Sequence, residues 1–305
     1  RGALLHAGFH GLAGEDWPAT GEGTAAPVAS QRTLPPHASN GFPTAGSSFP
    51  ARCRKVPHAP DIPDLEKWVL HRIATLDQRI REMTENYDFH GIFTELHQFC
   101  NSDLSAFYFE IRKDMLYCDL PDSTGRRACR MVMHELFSRL TAWLAPIICF
   151  TAEEAWQSYV GDPQNSVHLR SYDATPEIWH NADIEAKWAA IRQVRQVVMS
   201  ALEKARNDGA IGASLQAAPL VYVTADMQTA FAGQDAASLF ITSAATITTD
   251  TPAADAFRLD TVADVAVGFA AATGDKCARC WKVMPEVSGP DGICKRCTDV
   301  VATLA

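Results

Sequence analysis

The chain has 305 residues, 47% of them apolar and 21% charged, enough to bury a sizeable core and too apolar for global disorder. With 27 Lys and Arg against 36 Asp and Glu, the formal charge of −9 excludes an all-over basic coat, so any nucleic-acid contact must come from a local patch. No apolar run reaches membrane-spanning length: residues 140–150, the longest candidate, are interrupted by Thr141 and Pro146, and no membrane partner is expected.

Residues 1–60 hold 8 of the 18 glycines and 8 of the 17 prolines, few charges and no apolar period, and they read as disordered, a linker or a non-native segment such as an upstream frame error. Gly21-Glu-Gly23-Thr-Ala-Ala26 within them resembles a degenerate phosphate loop, but no strand is read before it and no helix after, so the match carries almost no weight. The chain opens on Arg1 rather than Met, so a piece of something longer is expected. No secretory signal pattern opens it. Nine cysteines, five of them scattered singly, do not form a secreted disulfide framework, and a cytoplasmic location is expected.

From Asp61 the pattern is helical. Pro63 and Asp64 open a first helix through Trp68, Ile73 and Ile80. A second carries Phe89, Ile92, Phe93, Leu96, Phe99, Cys100, Leu104, Phe107, Tyr108 and Ile111 at 3–4 spacing. Pro121 and Gly125 mark a break, with Asp122 or Ser123 as N-cap candidates for a third helix through Val132, Leu136 and Trp143 that ends before Pro146. Thr151 is the expected cap of a short helix through Trp156 to Tyr159, and a fourth long helix runs through Ile184, Trp188, Ile191, Val198 and Leu202 to Gly209. These segments predict an antiparallel helical bundle over residues 61–210. Residues 211–272 read as a small α+β connector with β-like runs at 220–224, 239–242, 246–249 and 265–269. The fold class is therefore mainly α with a small α+β part and a C-terminal four-cysteine zinc module at 273–305.

Cys277-x-x-Cys280 and Cys294-x-x-Cys297 are separated by 13 residues, and two such knuckles complete a tetrahedron around one Zn²⁺. Four protein ligands make that metal structural. Lys276, Arg279, Lys282, Lys295 and Arg296 offset the formal −2 of a zinc tetrathiolate. A redox CxxC needs one pair in a βαβ unit, and disulfides need an oxidising compartment; zinc is preferred over both. Trp281 either covers the metal site as local core or offers a stacking platform to an unpaired base, and the sequence does not separate the two. Arg126, Arg127 and Arg130 at the start of the third helix, and Lys187, Arg192, Arg195, Lys204 and Arg206 on the fourth, read most plainly as solvated helix faces, with RNA-backbone contact the minority reading. No catalytic constellation is present: Ser138 stands where a zincin helix needs its second His after His134-Glu135, and Glu153 and Glu154 point about 100° apart.

Lys276-Cys-x-x-Cys-Trp281, Tyr87-Asp-Phe-His90, Phe107-Tyr-Phe109, Leu144-Ala-Pro-Ile147 leading to Phe150-Thr-Ala-Glu-Glu-Ala-Trp156, and Ala205-Arg-x-x-Gly-Ala-Ile-Gly212-Ala-Ser-Leu-Gln-Ala217 together closely resemble the C-terminal portion of bacterial isoleucyl-tRNA synthetases, from about Asp61 to the end. The resemblance implies a helical anticodon-binding domain, a connector and a zinc finger that grips the anticodon region of tRNA(Ile). It raises the RNA readings of Trp281, Arg279, Lys282, Lys295, Arg296, Arg126 and Arg127. Ala210 departs from the family, which carries a basic residue before Ile-Gly. Family enzymes activate isoleucine with ATP and Mg²⁺, transfer it to tRNA and hydrolyse mischarged valine, by parts that the resemblance places upstream. Without a His-x-Gly-His signature or two lysines within five positions, this chain is expected to be a monomer that catalyses nothing alone and takes no DNA partner. The alternatives are a stand-alone zinc-ribbon binding or scaffold protein, and a DNA glycosylase with a C-terminal zinc finger, although that enzyme needs an N-terminal proline amine and the chain begins Arg1-Gly2.

Overall fold

A computed structural model describes residues 62–289 and 292–304. The expectations for residues 1–60, and part of the glycine–proline turn at 289–292, lie outside the described residues. The chain described is mostly helical with a small sheet part.

Helix α1 (Asp64–Glu85) follows Pro63, which has no N–H to leave orphaned, and sets Asp64 and Glu66 at the positive end of the helix dipole. Helix α2 (Phe89–Gln98) is capped by the Asp88 carboxylate, which accepts the Gly91 N–H at 2.9 Å. The single second helix read from the apolar spacing is in fact three pieces: α2, a π-helical stretch over Phe99–Phe109, and α3 (Glu110–Cys118). The wider turn buries Asp103, whose carboxylate accepts from Arg72 Nε at 3.1 Å and Arg192 Nη1 at 2.7 Å. Of the two candidate caps, Ser123 is the one that starts α4 (Thr124–Leu144), accepting the Arg126 N–H at 3.4 Å. Helix α5 (Cys149–Val160) begins earlier than expected, after Ile148, so Thr151 lies inside its first turn and caps nothing; Gly161, at φ 67°, closes it in the left-handed region. Helix α6 (Ala182–Asn207) is capped by Asn181.

Beyond α6, strands β1 (Leu220–Tyr222), β2 (Thr246–Thr248), β3 (Phe257–Leu259) and β4 (Val262–Gly268) form one sheet in the order β2-β1-β4-β3. β1 and β2 are parallel, while β1–β4 and β3–β4 are antiparallel. Helices α7 (Ala225–Ala230) and α8 (Ala236–Phe240) fill the crossover. Residues 239–242, read as β-like, are instead the end of α8 and its exit: Asp235 caps the helix and Ile241 ends it at φ 58°. A short buried apolar run suits either period, and here the local cap decides.

The core is continuous from the helices into the sheet. Trp68, Trp143 and Trp188 are fully buried, with Trp68 edge-on to Phe107 at 5.3 Å, and the same cluster extends to Val221, Val265 and Val267. Helix α6 packs on α1 and on β4. The last elements are β5 (Asp275–Lys276), β6 (Val283–Met284) and α9 (Lys295–Leu304). Among the described residues no helix is long and apolar enough to cross a membrane.

Candidate metal centre and nucleic-acid interface

Strands β5 and β6 pair antiparallel and bring the chain around the first knuckle, where the Cys277 N–H donates to the Lys282 carbonyl at 2.8 Å and the Trp281 N–H to the Cys277 carbonyl at 3.0 Å. Cys294 and the first turn of α9, with Cys297, face it, and the Cys294 N–H donates to Cys277 Sγ at 3.3 Å. All four sulfurs lie within 4.8 Å of one another and could hold a metal ion. Cys280 Sγ and Cys294 Sγ are 3.7 Å apart. A tetrahedral Zn²⁺ with sulfur ligands at about 2.3 Å has edges of about 3.8 Å, whereas a disulfide would need about 2.05 Å. The donor set therefore fits zinc, and all four thiols are free of disulfides. Burial pushes the Cys277 thiol up, but N–H groups of Cys280, Cys294 and Arg279 outweigh it and bring it down to about 6. Burial holds Cys280 and Cys294 above the usual thiol range. Full ionisation of the set needs the positive charge of an ion among the sulfurs.

The module is seated on the rest of the chain through its own arginines. Arg279 Nη1 donates to the Cys118 carbonyl at 2.7 Å and Nη2 to the Tyr117 carbonyl at 3.4 Å, completing the open end of α3. Arg296 grips both oxygens of Asp114, at 2.6 and 2.8 Å, and reaches Asp119 at 3.4 Å. Burial raises Asp114, but Arg296 and, less strongly, Lys282 bring its carboxyl below the usual range. On the other side, Ser243 Oγ accepts the Val283 N–H at 2.7 Å and donates to the Leu215 carbonyl at 2.5 Å. Sequence reasoning misses Asp114, Cys118, Asp119 and Ser243, because the Arg279–Cys118 and Arg296–Asp114 partners lie 161 and 182 residues apart and leave no local signal.

The predicted RNA-contact residues divide accordingly. Arg279 and Arg296 are engaged with α3, Lys295 pairs with Asp299 at 3.2 Å, and Arg126 holds the Asp119 carbonyl at 2.8 Å. Arg127 is exposed, and among the described residues its side chain has no hydrogen bond or ion pair. On α6, Lys187, Arg192, Arg195, Lys204 and Arg206 are all paired, with Asp64, Asp103, Glu110, Asp208 and Glu203 respectively. That face is therefore charge-balanced.

Trp281 is 60% exposed, while the four cysteines are 0–7% exposed. Its indole lies 5.2 Å from Lys276 Nζ, and its backbone sits at φ 68°, a region that costs a residue with a Cβ about 1–2 kcal/mol. The family-like Phe150–Trp156 segment does packing work: Glu153 accepts from Ser166 Oγ and the Val167 N–H at 3.0 and 2.8 Å, and Arg170 lies over the Trp156 ring at 4.0 Å.

Compared with known families, residues 66–222 match the anticodon-binding domain of tRNA ligase. The chain is similar to the isoleucine–tRNA ligase of Agrobacterium fabrum, 49% identical over 228 residues that are 74% of this chain and 24% of that protein. It is 46% identical to that of Ruegeria pomeroyi over 240 residues, 78% of this chain and 25% of the relative. It is 41% identical to that of Gluconobacter oxydans over 245 residues, 79% and 25% respectively. The chain thus spans about a quarter of the length of the curated relatives it matches.

Proposed function

The chain belongs to the family of anticodon-binding domains of tRNA ligases, and from that premise we propose that it is the part of an isoleucine–tRNA ligase that holds the anticodon region of tRNA(Ile). The observation that carries this is the family match followed, in one chain, by a four-cysteine site whose neighbouring Trp281 stands exposed beside cations. In this reading α1 to α6 are an antiparallel bundle over residues 61–210, residues 211–272 connect it to a zinc finger at 273–305, and one structural Zn²⁺ sits on Cys277, Cys280, Cys294 and Cys297. Trp281 stacks on an unpaired base, and Lys282, Lys295 and Arg127 contribute charge. Arg279, Arg296 and Arg126 act chiefly by seating the module and the α3–α4 turn, where their bonds lie.

The parent enzyme joins isoleucine to tRNA with ATP and Mg²⁺ and hydrolyses mischarged valine, in parts that this chain does not span; alone it is inactive, monomeric and cytoplasmic. The relatives favour this reading over a DNA glycosylase or a free-standing zinc ribbon. The test is filter binding of a tRNA(Ile) transcript to the zinc-loaded chain, alongside isoleucine-dependent ATP–pyrophosphate exchange. Binding without exchange is expected. Absence of tRNA binding would overturn the reading, and exchange above background would overturn the inactivity.

A further inference from the structure

We propose that Tyr117, at the end of α3, and Trp281, on the first zinc knuckle, form a two-ring platform on which two unpaired bases of an RNA loop stack, with Lys276 at the Trp281 ring and Arg127 on the first turn of α4 offering charge to the phosphates. This rests on the anticodon-binding reading and adds to it a residue outside the zinc module.

Tyr117 is 69% exposed, and among the described residues its side chain makes no hydrogen bond or ring contact. Its backbone, in contrast, is held: its carbonyl and that of Cys118 both accept from Arg279, the residue two positions before Trp281. One guanidinium thus links the backbones that carry the two rings, and the Arg296–Asp114 pair is a second tie between the same two elements. Two large exposed aromatics on mutually tied backbones keep a set spacing, so a ligand that stacks on both has only their side-chain rotamers to order.

The surrounding charge selects the ligand. Asp114 and Asp119 are faced by Arg296, and Asp275 accepts the Gly289 N–H at 3.2 Å, while Lys276 and Arg127 are exposed without an ion pair among the described residues. Lys276 Nζ, 5.2 Å from the Trp281 ring centroid, sets a cation at an exposed flat face, a pairing that suits a single-stranded polyanion. A protein partner would instead favour a contiguous apolar patch, and the residues flanking Tyr117 toward α4 include exposed Pro121, Asp122 and Arg127.

The experiment measures the affinity of a tRNA(Ile) transcript for the full zinc-loaded chain and for its Tyr117→Ala, Tyr117→Phe, Trp281→Ala and Arg127→Ala variants, with zinc content determined on each sample. Tyr117→Ala should weaken binding about five- to 150-fold with zinc content and salt slope unchanged. Tyr117→Phe should bind like the parent, because the ring face is what stacks. Arg127→Ala should lower the salt slope by about one. If Trp281→Ala weakens binding and Tyr117→Ala does not, the platform is overturned while the zinc-knuckle reading stands. If neither does, both fall. Loss in Tyr117→Phe equal to that in Tyr117→Ala would also overturn it, since the hydroxyl would then be the contact.

Discussion

Trp281 is held at φ 68°, where glycine would be unstrained, yet it presents its indole to solvent beside Lys276. Replacing it separates backbone from side chain. Trp281→Gly should make the zinc module more stable than Trp281→Ala by about 1 kcal/mol, because only Ala keeps the Cβ clash. The midpoint of metal release in guanidinium checks this, and an Ala variant at least as stable as the Gly variant would count against strain. Gly274 shows the opposite constraint. At φ 108°, a Cβ there would come within 2.2 Å of the Met284 carbonyl oxygen in β6. Gly274→Ala should therefore break the β5–β6 pairing, and zinc should be lost during gel filtration in mild chelator. The four-cysteine cluster was legible in the sequence because a knuckle is a local object, set by two residues between two thiols. The roles of Arg279 and Arg296 were not. Their charge was visible, but the carbonyls and carboxylates that use it belong to α3, far away along the chain.

At the scale of elements, the helices were readable from 3–4 apolar spacing, and what escaped was whatever that spacing leaves unchanged. The π-helical turn at Phe99–Phe109 still brings Leu104, Phe107 and Tyr108 inward, so the apolar stripe gives no sign of it. Likewise Leu239 and Phe240 are buried as a strand would bury them, but in α8. Between α1, the π turn, α3 and α4 lies a buried polar cluster: Arg112 donates to Glu66 at 2.7 and 2.5 Å, and the Tyr108 hydroxyl contacts Glu66 and Cys129 at 3.2 Å each. Arg112→Ala would strand a fully buried carboxylate and should cost about 3–5 kcal/mol in urea unfolding. The double variant Glu66→Leu/Arg112→Met should recover most of it, and a double variant as unstable as the single would refute the mechanism. Asp64 joins α1 to α6 through Lys187 at 2.8 Å. Burial raises its carboxyl, but Lys187 and Lys67 outweigh it and hold it below the ordinary 3.8. A carboxyl depressed in the fold adds stability that is complete above its unfolded value and is lost as pH falls through the folded one. Asp64→Asn should thus destabilise at pH 7, by less than about 1 kcal/mol for so accessible a pair, and the deficit should vanish as pH drops below 3.8. A deficit that persists in acid would assign the effect to something other than charge.

Across the described residues, the four-cysteine module is not a free appendage. It is fixed to the α+β part by Ser243 and to the helical part by Arg279 and Arg296, and both arginines sit within one residue of a cysteine of the cluster. Stripping zinc under reducing conditions should therefore loosen the last 30 or so residues and release the end of α3, while the rest of the helices and the sheet stay folded on their shared core. Far-UV circular dichroism should fall only slightly, α9 being 10 residues, whereas tRNA affinity should fall steeply; readded zinc should restore both. Unchanged affinity in the metal-free chain would contradict the proposed role of the module. The wide turn at Phe99–Phe109 has a bearing on this same junction. Deleting one residue there with the winding kept would turn everything up to Cys118 by about 100°, and rewinding toward 3.6 residues per turn would absorb that angle but re-aim Asp103, which the wide turn presents to Arg72 and Arg192. In the first case Asp114 and the last carbonyls of α3 would swing out of line with the two guanidinium groups that meet them. The π turn thus sets the phasing of α3 like a vernier, so length changes of a single residue should be tolerated in the exposed loop at 161–165 and not between 99 and 109.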